Sequence, residues 1–310
     1  MNDHAADWEG CAPLRADLAL ALRAAFHHDL AEGVCNHFSV ALPDGSDRFL
    51  INPRGLAWDE VGARDIVMVD VAGEKLAGRH EVESTAMFIH AGVHRIARKT
   101  CVLHTHMPYA TALTLTEARA LDTALSQNAM RFHGRLAVDR AYNGLALDAT
   151  EGDRIARAMN GADVVFLANH GVIVCGTRVD YAYDDLYYLE RACEAQVLAM
   201  STGSRLAPVA EPVAAKVAAQ MVGEQLQATL IFESLRRRFQ EPRRPWSEGW
   251  ARLRWPRISG EGRDDAVALR GGGFSGPGRD GFGRDDLGRD DLAGRQTLRL
   301  RRLAQGPGRQ

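Results

Sequence analysis

The sequence predicts a mixed α/β sandwich. Short apolar runs of strand length alternate with amphipathic helical stretches, the two kinds intermingle rather than segregate, and tight-turn residues punctuate them. Residues 13–32 predict the first helix, with Leu14, Leu18, Leu22, Phe26 and Leu30 spaced four apart. Strands follow at 38–42, 49–52 and 66–71, separated by turns at Pro43-Asp44-Gly45 and Pro53-Arg54-Gly55. Residues 83–99 predict a helix whose apolar face includes Phe88, Ile89, Val93 and Ile96. A strand ending at His104 comes next, and a further helix begins within 106–115. Helical pattern returns at 151–159, strands at 164–168 and 172–174, and a long helix at 179–200 carries Leu186, Leu189, Cys193 and Val197 on one side. The core is expected to be complete by about residue 205, with 209–238 adding more helix.

Composition sets limits on function. Of 310 residues, 46% are hydrophobic and 25% charged, the balance of an ordinary globular protein. A net charge of −2 offers no overall field for nucleic acid, so none is expected as partner. No apolar stretch reaches the roughly 18 to 20 residues that span a bilayer, and the first residues are acidic rather than signal-like, so no membrane role is expected. Five scattered cysteines form no Cys-X-X-Cys pair, which points to a reducing cytoplasm.

The chemistry lies in histidines. His104 and His106 end the apolar run TCVL, and residues two apart on a strand share a face. His170 follows a second apolar run, VVFLA. Three imidazoles from two strand ends would leave a coordination position open, the layout of a catalytic zinc site. His90 is expected to be a hydrogen-bonded core residue, His94 to lie on a helix face, and His37 either to approach the substrate or to pack.

Several linked blocks carry a resemblance. VCNHFSV (34–40), FLINPRGLAWDEV (49–61), DIVMVDVAG (65–73), IHAGVHRIARKTCVLHTHMPYATAL (89–113), LANHGVIVCG (167–176) and YYLERACEAQ (187–196) are similar, in order and separation, to the class II aldolase and adducin head-domain family. The resemblance covers about residues 16–235 and lies nearer the bacterial adducin-like branch. It implies a three-layer α/β/α sandwich with a mostly antiparallel central sheet, often assembled as a homotetramer. It also implies that His104, His106 and His170 bind Zn2+ or another divalent cation. The family's acid/base carboxylate is replaced here by Ala86, and Glu83, one helical turn earlier, is the candidate for that role. Asn36, Gly55, Ser84 and Thr85 match phosphate-binding positions, while Arg54 stands where the family has threonine. Tyr109 or Tyr142 would protonate the second product.

The implied activity is zinc-dependent lysis or rearrangement of a hydroxy-carbonyl substrate, a sugar phosphate or hydroxy-acid, through a metal-stabilised enediolate. Epimerase, dehydratase and decarboxylase chemistries share this logic, and a non-catalytic adducin-like assembly module is the alternative from another class.

The domain itself is expected over 13–238, after a flexible N-terminus at 1–12. Beyond it, 239–310 predicts a largely disordered Gly/Arg/Asp-rich tail: 13 of the 30 glycines lie at or beyond Gly260, and such composition buries too little apolar surface to fold.

Overall fold

A computed structural model describes residues 5–239, all within one compact unit, Met1–Trp246. The expected disordered tail therefore lies outside the described residues, apart from Phe239.

Two short helices open the chain, α1 (Ala5–Gly10) and α2 (Ala12–His27), so much of the stretch read as flexible is helical. Four strands follow: β1 (His37–Ala41), β2 (Arg48–Ile51), β3 (Val67–Asp70) and β4 (Lys75–Ala77). After α3 (Ser84–Gly92) the chain gives β5 (Cys101–Thr105), α4 (Pro108–Thr114), α5 (Gln127–Met130) and β6 (Leu136–Asp139). Then come α6 (Ala149–Ala158), β7 (Val164–Leu167), β8 (Gly171–Gly176), α7 (Val179–Ser201), α8 (Glu211–Gly223) and α9 (Leu226–Arg238). No helix among the described residues is long and apolar enough to cross a membrane.

The strands form one sheet in the order β4-β3-β2-β1-β5-β8-β7-β6. Every neighbouring pair is antiparallel except β6 with β7. Helices cover both faces, which is why the central strands read as unbroken apolar runs rather than alternating ones. On one face Phe38, Leu103, Phe166 and Val172 pack with Leu18 and Leu22 of α2 and Leu186 and Leu189 of α7. On the other, Val102, Leu167 and Ile173 meet Ile89 and Val93 from the α3 segment and Ile155 of α6. Beside them Phe49, Ile51 and Val67 pack with Ala86 of α3. This is the expected three-layer α/β/α sandwich.

Helices α3 and α6 cross backbone to backbone. A Cβ on Gly152 would stand 2.1 Å from the Phe88 carbonyl oxygen, so only glycine permits this packing.

Four details differ from expectation. The helix predicted over 83–99 stops as α-helix at Gly92 and widens into a π-turn at Val93–Ala97, closed by Arg98 in a left-handed conformation. That widening turns His94 inward to Ser39 and Lys99, so it is buried rather than on a helix face. Strands β4 and β6 are not legible because each is a short edge strand with half-exposed side chains. The core does not end near residue 205: Phe232 and Leu235 of α9 are buried in the main cluster.

Candidate metal centre and its surroundings

The sheet converges three histidines at the end of β5. Register pairs His37 with His104 and Ile173 with His104, so β1 and β8 flank the β5 end. His104 and His106 share the face that Val102 presents to α3 and α6. His170 occupies the tight β7–β8 connection, reached through Asn169 at φ 57°. Ring centroids lie 5.0 Å apart for His104–His106 and 4.8 Å for each with His170. All three offer nitrogens within 4.8 Å of one another. Gly171 makes the convergence possible, since a Cβ there would meet the Thr105 carbonyl oxygen at 2.5 Å and the His106 ring at 2.8 Å.

The partners of the rings fix which nitrogen carries the proton. His104 Nδ1 lies 2.9 Å from the Val172 carbonyl oxygen, which can only accept, so Nδ1 donates and Nε2 keeps its lone pair. His106 Nδ1 likewise donates to the Glu32 carboxylate at 2.6 Å. That leaves His106 Nε2 buried without a hydrogen-bond partner among the described residues. Burial, reinforced by the neighbouring imidazoles, pushes the His104 pKa well below its ordinary value and that of His170 down to about 4. Imidazoles oriented from behind by a carbonyl and a carboxylate, with Nε2 turned away from those partners, are the donor set a zinc ion requires. The residues fit the metal.

Glu83 caps the N-terminus of α3, accepting from the Ala86 N–H at 3.0 Å and from the Thr85 hydroxyl. Its carboxylate also meets His37 Nε2 at 3.3 Å, and the His37 ring stacks 5.9 Å from that of His104. Burial raises the Glu83 pKa, but the hydrogen bonds from His37, Thr85 and the helix backbone outweigh it and hold the group at about 2. Glu83 is thus both a helix cap and a carboxylate one imidazole away from the centre.

Asn36 is buried at φ 71°, and its Oδ1 accepts from the His106 N–H at 3.2 Å. Its Nδ2 is buried with no partner among the described residues. The turn carrying Arg54 and Gly55 is tied to the start of α3, because the Arg54 N–H donates to the Glu81 carbonyl at 2.8 Å. Arg54 and Ser84 are exposed on this rim, whereas the Thr85 hydroxyl is already committed to Glu83. Tyr109 is not brought to the histidines by its ring, which packs against the main core, while its N–H donates to Glu190 at 2.8 Å. Tyr142 is the tyrosine nearer the centre, 6.4 Å ring to ring from His170 and half exposed.

Sequence reasoning missed Glu32. It lies in a polar loop before β1 with no periodicity to mark it, and only three-dimensional proximity shows its bond to His106.

An α/β/α sandwich with three histidines at its central strand ends defines a class of metal-site proteins, and comparison with known proteins makes the class specific. The chain belongs to the family described as the class II aldolase and adducin N-terminal domain, which matches residues 16–197. A Pseudomonas aeruginosa protein named as an aldolase class 2 protein is 34% identical over 204 residues, 65% of this chain and 76% of that one. The decarboxylase NovR of Streptomyces niveus is 30% identical over 202 residues, 64% of this chain and 72% of its own. Among solved structures, an aldolase II superfamily protein from Pseudomonas syringae superposes with a TM-score of 0.68 at 31% identity, covering 74% of this chain and 92% of that one.

Proposed function

We propose that this protein is a divalent-metal-dependent lyase of the class II aldolase type, cleaving or rearranging a hydroxy-carbonyl substrate such as a sugar phosphate or hydroxy-acid. The observation that supports it most is the trio His104, His106 and His170, with the first two rings turned so that Nε2 lone pairs remain available. These residues would hold the cation, zinc by the character of the donors. Bound there, it supplies Lewis-acid polarisation of the substrate carbonyl.

The remaining work falls to side chains. Glu83, ionised at neutral pH, accepts a proton from the substrate hydroxyl or carbon, and His37 Nε2 steadies the carboxylate. At neutral pH a carboxyl group this acidic carries no proton to give, so protonation of the departing fragment is assigned to Tyr142 in place of Tyr109. Asn36 Nδ2, buried and without a partner among the described residues, donates to a substrate oxygen. Arg54 binds the anionic end by charge-assisted hydrogen bonds, with Gly55, Ser84 and Thr85 shaping the rim around it. A homotetramer and a cytoplasmic setting complete the reading, the latter supported by five unpaired cysteines.

A second enzymatic outcome at the same site, decarboxylation, is favoured by the relative named as a decarboxylase. A purely structural adducin-like role is disfavoured by the intact and oriented histidine set, because ligand chemistry speaks to function where fold does not.

The test combines metal analysis with turnover. Purified protein is assayed against sugar phosphates and hydroxy-acids, zinc-loaded and chelated, beside His104→Ala. Zinc near one per chain, lost together with activity in the variant, is expected. Full zinc occupancy in His104→Ala would overturn the ligand assignment.

A further inference from the structure

Beside Glu83 lies a second histidine group that the metal centre leaves unused: His37, His90 and His94, with Ser39 between the last two. Their protons can be placed from their partners. His94 Nδ1 is 2.8 Å from the Lys99 carbonyl oxygen, so that nitrogen carries a hydrogen. Burial keeps His94 neutral, its pKa down to about 4, which makes Nε2 a lone pair. The Ser39 hydroxyl, 2.7 Å away, therefore donates to His94. Having donated, the Ser39 oxygen accepts from His90 Nδ1 at 2.5 Å. His90 is wholly buried and also neutral, so its Nε2 is a lone pair.

From the other side, His37 Nε2 faces the ionised Glu83 carboxylate and must donate to it. That bond needs only one proton on the ring, and no acceptor faces Nδ1 among the described residues, so Nδ1 is a lone pair. Two acceptors remain, His37 Nδ1 and His90 Nε2. Both are buried, and neither has a partner among the described residues. Their rings stand at 88° with centroids 5.8 Å apart. Two lone pairs cannot satisfy each other, and a bridging group must bring two hydrogens. A single water does so, and buried waters sit where polar groups lack other partners.

We propose that one water, donating a hydrogen to each of these nitrogens, joins Lys99, His94, Ser39, His90, His37 and Glu83 into a single hydrogen-bonded chain that donates outward from the water, toward Lys99 on one side and Glu83 on the other. Ser39, His90 and His94 are then positioning residues for the Glu83 carboxylate: the serine sets the tautomer of His90, and His90 with the water holds the His37 ring in the orientation that faces Glu83. The task of Glu83 rests on the lyase reading above, but the chain itself does not.

The test reads tautomers, without turnover. Long-range proton–nitrogen correlation spectra of zinc-loaded, 15N-histidine-labelled protein should show His90 and His94 as Nδ1–H tautomers and His37 as Nε2–H. A high-resolution crystal structure should place a water within hydrogen-bonding distance of both His37 Nδ1 and His90 Nε2. Ser39→Ala should shift His90 toward the Nε2–H tautomer with zinc still bound, and Ser39→Thr, which keeps the hydroxyl, should restore the wild-type pattern. Finding His90 as Nε2–H in the wild type, His37 protonated at Nδ1, or a protein atom in place of the water would overturn the proposal. If Ser39→Ala fails to fold, the wild-type spectrum and crystal structure still decide it. Absence of turnover on any hydroxy-carbonyl compound would sink the lyase reading while leaving the tautomer pattern intact, so the two failures are distinguishable.

Discussion

Glu32 and Glu83 show how differently two carboxylates act within one site. Glu32 is exposed, yet its hydrogen bond to His106 Nδ1 sets which nitrogen the ring can offer. Glu32→Gln should weaken zinc binding by about 10- to 100-fold, the usual consequence of removing a carboxylate behind a ligating histidine, as read by competition with a chromophoric chelator. Glu83 has its pKa depressed from the ordinary 4.5 to about 2. Its stabilising contribution is thus complete above about pH 4.5 and fades as pH falls toward 2. Urea midpoints of wild type and Glu83→Gln should differ near neutrality and converge across that interval. A gap that stays constant down to pH 2 would show that the contribution does not depend on ionisation and that the carboxyl pKa is not depressed on folding.

At the scale of elements, the centre depends on a strand start that tolerates no side chain. Gly171 begins β8 against the Thr105 carbonyl and the His106 ring. Gly171→Ala forces those atoms apart, costing about 1–3 kcal/mol by overpacking and displacing His106 from its partners, so unfolding free energy and zinc affinity should fall together. The strands that carry ligands were the easiest to read from sequence. CVL (101–103) and VVFLA (164–168) are buried on both faces, His104 follows the first directly and His170 the second after Asn169, and the alternation rule alone put His104 and His106 on one side. What escaped has a common cause. Edge strands β4 and β6 are too short and too exposed to show a period. The π-turn at Val93–Ala97 answers to His94's contacts with Ser39 and Lys99, which are distant or non-periodic in the chain. Tyr109 was a reasonable candidate by reach, but the carboxylate of Glu190 that receives its N–H holds the start of α4 so that the ring joins the core.

For the whole molecule, the fold closes later in the chain than periodicity suggests. Phe232 and Leu235 are buried in the same cluster as Phe38 and Leu186, and the Arg23 guanidinium reaches the Phe239 carbonyl oxygen at 3.3 Å. Phe232→Ala should therefore cost about 3–5 kcal/mol in chemical denaturation, as expected for emptying a large buried aromatic site. A loss under 1 kcal/mol would mean that α9 is an appendage rather than part of the domain.

The sheet order has one further consequence. The three histidines come from strand ends that are neighbours in space but more than sixty positions apart in the chain, so no local fragment can gather them. Capture of an ion by the proposed centre would then follow assembly of the central strands rather than guide it, since distant pairings are the slow step in folding. A bound cation would act on the finished molecule as a latch, slowing its opening while leaving the rate of its formation almost untouched.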